Sequence, residues 1–223
     1  MPVNPTGTFG VIDGRDFVPS YTFAALPTTY AIGQPVWVSN IGRETMGASP
    51  VAATGSLWTF DGAVWEPSGG TVLLSKLDVA VTGLTNSEVV SGRIQLPAAF
   101  LRTYDRIRFR VGLTKSGTTD TCGLRFRIGT AGTTADTAVV APTAMSAAQL
   151  HGGFEYDIKI LSATSCIITS RNDLGIGGAT TNPVPTAPTI ANISNALYLD
   201  VGAVSSGASN TVGISDAQIW LVR

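Results

Sequence analysis

Arginines alternate with hydrophobic residues in two short runs, "RIRFRV" and "LRFRI", and this spacing is the best candidate for binding chemistry in the sequence. Successive side chains of a β-strand point to opposite faces, so each run predicts a cationic face and an apolar face. If "GLTKSGTTDTCG" joins the runs as an antiparallel hairpin, all the arginines share one face. Opposed like charges then destabilise the sheet by about a few tenths of a kcal/mol per pair. The arginines are Arg106, Arg108, Arg110, Arg125 and Arg127.

Acidic side chains in a third alternating run offer these arginines partners. In "FEYDIKI", Glu155 and Asp157 fall on the face opposite the aromatic and aliphatic residues. A strand carrying them beside the arginines would form forked guanidinium–carboxylate pairs. Three interpretations stay open: an internally paired, solvated face; a face buried against an identical subunit, as in a trimer; and a site for an anionic ligand such as phosphate or an acidic sugar.

Catalytic patterns are missing from the sequence. His151 is the only histidine, is expected in a loop before a Gly-Gly turn, and has no second histidine for a zinc site. Neither a G-x-S-x-G elbow nor a phosphate-binding loop occurs, and no stretch clusters acids with aromatics as sugar-cleaving clefts do. We therefore expect no enzyme, no metal and no cofactor. Cys122 and Cys166 are either a disulfide between neighbouring strands or, as we favour, two small buried hydrophobes.

Composition limits the class of protein. The 223 residues are 44% hydrophobic and 13% charged, and the charged share is about half that of an average domain. This balance predicts a packed core and a surface covered partly by copies of the same chain. A net charge of −1 argues against nucleic-acid binding. No signal peptide and no apolar run near 18 residues is present, so we expect no membrane insertion.

Short strand-like segments, bounded by Gly, Pro, Asn or Asp, fill the chain, whereas "PAAFLRTY" and "TAMSAAQL" are expected to be short turns. This pattern predicts an all-β sandwich or barrel. The segments are "PVWVSN", "SLWTF", "AVWEP", "TVLLS", "RIRFRVGLT", "CGLRFRIGT", "TAVV", "FEYDIKIL", "SCIITS", "ALYLDV" and "ISDAQIWLVR".

"SLWTFDGAVWEP" predicts a hairpin, because Asp61-Gly62 is the pair that a two-residue type I′ turn requires. Counting outward from that turn places Trp58 opposite Trp65. The two rings would then pack together as the core of a small module. The alternative is a platform on which a sugar stacks.

The chain is expected to divide at "EPSGG". Residues 1–20 form an extended arm, residues 21–70 a small β-hairpin attachment module, and residues 71–223 a β-sandwich. The long segment 175–193 is a recognition loop, a subunit contact or a plain surface excursion.

Two segments resemble proteins of tailed bacteriophages. "GLTKSGTTDTCGLRFRIGTAGTTADTAVV" is similar to a "KSGTTDT…LRIRIGTAGTTADT"-like hairpin of virion structural proteins, of the tail-fibre or head-decoration type. Upstream, "GSLWTFDGAVWEPSGG" resembles their "GSLWYSDGTRWRP"-like module, although Ala63-Val64 stands where a basic residue is expected.

The resemblance implies a jelly-roll-like sandwich, a homotrimer and localisation in a virion assembled in the bacterial cytoplasm. The N-terminal region would bind other virion proteins, and the sandwich would face a host surface glycan. We take Trp58, Trp65 and the five arginines as candidate assembly residues. A short tail fibre or tail tip is the first expectation and a capsid decoration or head-fibre protein the alternative. A lectin-like module and a virion-borne depolymerase are more distant.

Overall fold

The fold is all-β. The computed structural model describes residues 8–12, 16–41, 44–45, 55–77, 81–84, 89–140, 145–174 and 187–223. Within these ranges the chain forms strands and turns and no α-helix; one 3₁₀ turn, Phe23–Ala25, precedes β3. No helix in the described ranges is long and apolar enough to cross a membrane. The predicted fold class is confirmed, and residues 97–104 and 145–150 form turns, as expected.

The strands are, in chain order, β1 (Thr8–Ile12), β2 (Asp16–Tyr21), β3 (Pro35–Val38), β4 (Glu44–Thr45), β5 (Ser56–Phe60), β6 (Trp65–Pro67), β7 (Thr71–Leu77), β8 (Val81–Leu84), β9 (Val89–Leu96), β10 (Arg106–Lys115), β11 (Cys122–Gly129), β12 (Thr137–Val140), β13 (His151–Ser162), β14 (Ser165–Leu174), β15 (Leu197–Ser205) and β16 (Val212–Val222).

Three mostly antiparallel sheets contain these strands. The N-terminal sheet has the order β1-β2-β3-β5-β6. The large sheet has the order β14-β13-β10-β16-β7-β4, with β8 also paired to β16, and the small sheet has the order β12-β11-β15-β9. Only β2/β3 and β4/β7 are parallel among the described pairs.

The apolar faces of the large and small sheets pack against each other to form a sandwich. Alternation along β10 buries Ile107, Phe109 and Val111, and alternation along β11 buries Leu124, Phe126 and Ile128. The rings of Phe109 and Phe126 meet with centroids 4.5 Å apart, across the two sheets. The face assignment of both arginine runs is therefore confirmed.

The assumed hairpin between the two arginine runs is wrong. β10 pairs with β13 and β16 in the large sheet, whereas β11 pairs with β12 and β15 in the small sheet. The apolar rows of the two strands instead face each other across the two layers, where Phe109 meets Phe126, so each sheet covers the apolar face of the other. The arginines of β10 and of β11 consequently lie on opposite outer faces of the sandwich.

The turn of the β5–β6 hairpin has four residues, not two. The Asp61 carboxylate accepts the N–H groups of Ala63 at 2.8 Å and Val64 at 2.7 Å, and the Asp61 N–H donates to the Val64 carbonyl at 3.1 Å. Only Gly62, with φ 105°, adopts the left-handed region that a type I′ turn needs twice. Hydrogen bonding by the aspartate side chain therefore selects a longer turn.

This turn shifts the predicted register by two residues. Phe60 lies opposite Trp65, with ring centroids 5.3 Å apart, and Trp58 lies opposite Pro67. The predicted direct Trp58–Trp65 pair is thus wrong. A shift by two leaves every side chain on its predicted face, so both tryptophans are still buried.

Part of the predicted arm is ordered within its own chain. β1 and β2 form an antiparallel hairpin, and β2 continues in parallel alongside β3. Residues 1–7 and 13–15 lie outside the described residues. Residues 8–12 and 16–20 of the predicted extended arm are therefore strands, held by pairing of β1 with β2 and of the end of β2 with β3.

The N-terminal sheet packs against one end of the sandwich through an aromatic cluster and a buried arginine. Phe100 contacts Trp58 and Phe23, with centroids 5.9 and 5.0 Å apart. Arg223 donates to the Trp65 carbonyl at 3.1 Å and to the Phe100 carbonyl at 2.6 Å. Buried residues of the module and the sandwich therefore belong to one hydrophobic core, and the division into 1–20, 21–70 and 71–223 stays a prediction.

The long segment 175–193 is described only from residue 187. There, the N–H groups of Ile190 and Ile193 donate to carbonyls of the β13–β14 turn at 2.8 and 2.9 Å, and both side chains are buried. Residues 175–186, the rest of the segment for which a recognition loop, a subunit contact and a plain surface excursion were left open, lie outside the described residues.

Candidate ligand-binding face

The outer face of the large sheet carries ordered rows of charged and aromatic side chains. β13, β10 and β16 are neighbours, and their register aligns three rows across the strands. From one end, the rows are Lys159–Arg106–Val222, Asp157–Arg108–Trp220 and Glu155–Arg110–Gln218. Alternation makes these rows point outward, since the residues between them are buried.

The middle row contains the predicted acid–arginine fork. Arg108 donates from Nε to Asp157 Oδ1 at 2.8 Å and from a terminal nitrogen to Oδ2 at 3.0 Å, with Glu155 3.8 Å away. The hydrogen bonds that Arg108 donates to the Asp157 carboxylate raise the pKa of the Arg108 guanidinium despite partial burial. The expectation that Glu155 and Asp157 flank the arginines is confirmed, and a half-exposed pair of this kind contributes about 1 kcal/mol or less.

The first row places two cations side by side. Arg106 lies directly opposite Lys159, and among the side chains that are described neither has an ion-pair partner. The Lys159 ammonium lies 4.9 Å from the centre of the Tyr104 ring. Tyr104 is 68% exposed and has a φ of 76°, which a non-glycine residue rarely adopts.

Two shallow depressions follow these rows and meet at Val222; together they are named the trough. The first, of about 300 Å³, is lined by Thr71, Arg108, Arg110, Glu155, Trp220 and Val222. The second, of about 350 Å³, is lined by Tyr104, Arg106, Lys159, Val222 and Arg223. Each depression therefore combines cations with one aromatic ring.

The arginines of β11 do not join this face. Arg125 donates to the Leu124 carbonyl at 2.8 Å, and Arg127 donates to the Asp136 carbonyl. Both lie on the outer face of the small sheet, so the structure divides the five predicted arginines into a trio and a pair.

A buried carboxylate next to that pair escaped the sequence analysis. Asp200 on β15 is fully buried between Arg93 on β9 and Arg127 on β11, and Asp136 approaches it from the β11–β12 loop. Burial, and then the neighbouring Asp136, raise the pKa of Asp200 to about 7. An aspartate inside the apolar run "LYLDVGAV" was the available signal. The Asp136 carboxylate accepts two loop N–H groups, so the cluster anchors a loop.

The two tryptophans lie in the core of the chain itself. Trp58 is 0% and Trp65 7% exposed, and their ring nitrogens donate to Ser56 Oγ at 2.8 Å and the Pro27 carbonyl at 2.9 Å. The packing interpretation agrees with this burial, whereas a sugar-stacking platform requires an exposed ring. Because both rings are buried in the isolated chain, they are not accessible for the predicted contacts with another copy.

The remaining candidates for chemistry are dispersed. Cys122 and Cys166 are buried, unpaired and in different sheets, so the disulfide interpretation is wrong. Burial raises the pKa of both thiols, that of Cys166 to about 12. His151 begins β13 opposite Thr114 and is not in a loop. Within the described ranges, no three His, Cys, Asp or Glu residues lie together as a metal site would require.

The fold and this face define an all-β sandwich protein with an open cationic and aromatic surface. No protein-family model matches the sequence, and no curated protein matches it. One solved structure with some likeness is an engineered GH43 glycoside hydrolase with endo-xylanase and exo-arabinofuranosidase activity. It is 10% identical, with a TM-score of 0.32, over 92% of this chain and 43% of that chain. A likeness at this level carries no conclusion about function.

Proposed function

We propose that this chain is a non-enzymatic structural protein on the outside of a tailed-bacteriophage particle, most simply a short tail fibre or tail tip that binds the host surface as a homotrimer. The resemblance of "KSGTTDTCGLRFRIGTAGTTADT" and "GSLWTFDGAVWEPSGG" to virion proteins gives the class. The observation that carries the binding role is the trough. It is an open face on a frame whose buried residues form one core.

The position of the N-terminal sheet supports separate surfaces for attachment to the particle and for ligand binding. It docks at the end of the sandwich, where Arg223 contacts Trp65, and leaves Arg106 and Tyr104 exposed. Attachment through the N-terminal region and binding through the sheet face can therefore proceed together. Three copies around one axis would multiply weak contacts, because a second bound face acts at an effective concentration on the order of mM.

Particle labelling tests this proposal. Antibodies against the purified chain, coupled to gold, should label particles of the encoding phage at the tail tip, and light scattering should give three times the chain mass. Label on the capsid would instead favour the decoration or head-fibre alternative. Absence of the chain from purified particles contradicts a virion role altogether.

A free carbohydrate-binding module is the second candidate, and the two aromatic rings of the trough favour it. Such a protein would be monomeric at micromolar concentration and would bind glycans without a particle. A reducing-end assay on host capsule polysaccharide separates both candidates from a depolymerase, which would release new ends.

A further inference from the structure

The pairing of Arg106 with Lys159 needs a physical explanation. Like charges directly opposite each other on neighbouring strands are destabilising, and Glu155 and Asp157 lie in the other two rows. The first row therefore contains a repulsion that the described side chains do not neutralise. An anion bound between the two cations would remove that repulsion.

The surroundings of this row indicate which anion fits. Tyr104 places an exposed ring beside Lys159, held in a strained backbone conformation while its N–H donates to the Ile160 carbonyl at 2.8 Å. Strained, exposed residues that the fold retains are commonly functional. Trp220 lies one row further along, across from Arg108. Flat rings beside donors suit a sugar, whereas free phosphate would gain nothing from them.

We propose that the trough binds an acidic polysaccharide, with a sugar carboxylate between Arg106 and Lys159 and sugar rings against Tyr104 and Trp220. The planar guanidinium of Arg106 matches a carboxylate with two parallel hydrogen bonds. This assignment of ligand class rests on the proposed role as a surface-binding particle protein. The three rows, two residues apart along each strand, extend the site over about 13 Å, which is longer than one sugar.

A second copy of this chain fits the trough less well. The rows hold four cations, Arg106, Arg108, Arg110 and Lys159, against the two carboxylates of Glu155 and Asp157. Two such faces would bring cation onto cation, and the outer face of the small sheet also carries arginines. Charge complementarity therefore favours a polyanion.

Calorimetric titration of the full-length protein tests this assignment with three polymers of matched length: polygalacturonate, dextran sulfate and neutral dextran. We expect polygalacturonate to bind most tightly, with an affinity that falls as salt rises, and neutral dextran not to bind. Arg106→Gln should weaken polygalacturonate binding about fivefold while leaving thermal stability equal or higher, because it removes a repulsion.

Arg125→Gln is the matched control, since it removes the same charge from the opposite outer face, and its affinity should stay within about twofold of the wild type. Tyr104→Asn replaces the ring by a side chain that tolerates positive φ. It should weaken polygalacturonate binding by at least fivefold, which is about 1 kcal/mol in binding free energy. Circular dichroism verifies that both variants keep the fold.

Two results with the wild type would overturn the assignment: no binding of polygalacturonate, or tighter binding of dextran sulfate than of polygalacturonate. Two results with the variants would also overturn it: a loss of affinity in Arg125→Gln equal to that in Arg106→Gln, or unchanged polygalacturonate binding in both Arg106→Gln and Tyr104→Asn. Dissociation of an oligomer by Arg106→Gln without any glycan binding would also overturn it, in favour of a subunit contact. Since the assay uses purified protein, a failure here is distinct from absence of the chain from particles, which would refute the virion role alone.

Discussion

Arg223 joins the N-terminal sheet to the sandwich, and its removal is expected to cause a large loss of stability. The Arg223 side chain is 5% exposed, and the Asp105 side chain is 6% exposed. The Arg223 Nε donates to both carboxylate oxygens of Asp105, at 3.1 and 3.2 Å. The guanidinium also lies 5.1 Å from the Trp58 ring centre. Burial raises the pKa of Asp105 and lowers that of Arg223, so desolvation outweighs the attraction within the pair.

Arg223→Met should therefore lower the free energy of unfolding by about 3–5 kcal/mol, because it leaves the Asp105 carboxylate buried without its partner. For a chain of this length, the loss corresponds to a fall in Tm of about 10 °C. Urea unfolding followed by tryptophan fluorescence measures it, and Trp58 reports on the same contact.

Arg102→Met is the matched control. Arg102 also contacts Glu66 and the Trp65 carbonyl, at 2.6 and 2.7 Å, but its side chain is 30% exposed. Removal of this exposed pair should cost about 1 kcal/mol. The difference between the two variants isolates the effect of burial.

A double-mutant cycle completes the test. Arg223→Met combined with Asp105→Leu should lose less stability than Arg223→Met alone, since no charge is then left buried. The reasoning is refuted if Arg223→Met loses no more than Arg102→Met, or if the losses of the two single variants simply add.

Three further predictions concern buried polar groups. The pKa of Asp200 is raised to about 7, so the stability that this carboxyl contributes is full below pH ~4 and is lost as pH rises through 7. Asp200→Asn should flatten this pH dependence of stability and make the protein up to about 4 kcal/mol more stable than the wild type above pH 8. Urea midpoints at pH 5 and 9 measure both effects. The Lys115 ammonium donates to three backbone carbonyls at 2.6–3.0 Å. Lys115→Met should therefore lower the stability of the protein by about 3 kcal/mol, measured by thermal unfolding. Cys122 and Cys166, both buried, should react with a thiol reagent only after unfolding, since their thiols stay protonated and covered.

Each of these has a contradicting outcome. An unchanged pH dependence in Asp200→Asn would show that this carboxyl is not the group that titrates. A Lys115→Met variant as stable as the wild type would mean that water satisfies the carbonyls. Rapid reaction of either thiol in the native protein would show that the surrounding core opens readily.

Strand identity and face could be predicted from the sequence because both depend on alternation within one strand. The runs around Phe109, Phe126 and Tyr156 were assigned to the correct faces, and Glu155 and Asp157 were correctly expected beside arginines. Strands β1, β2, β4, β8 and β9 were missed, because their patterns are weak and their pairing with neighbours defines them.

Pairing between strands was decided only by the tertiary structure. Alternation says which side chains share a face of one strand, but it does not say which sheet that strand joins. The pairing of β10 with β13 and β16, and of β11 with β12 and β15, places the two strands in different sheets and divides the arginines between two outer faces. The tertiary structure also places Arg106 beside Lys159, Tyr104 against Lys159 in the same depression, and Asp200 between two arginines. Sequence alone determined an all-β chain with cationic faces, and only long-range packing determined which of those cations lie beside a carboxylate, as Arg108 lies beside Asp157.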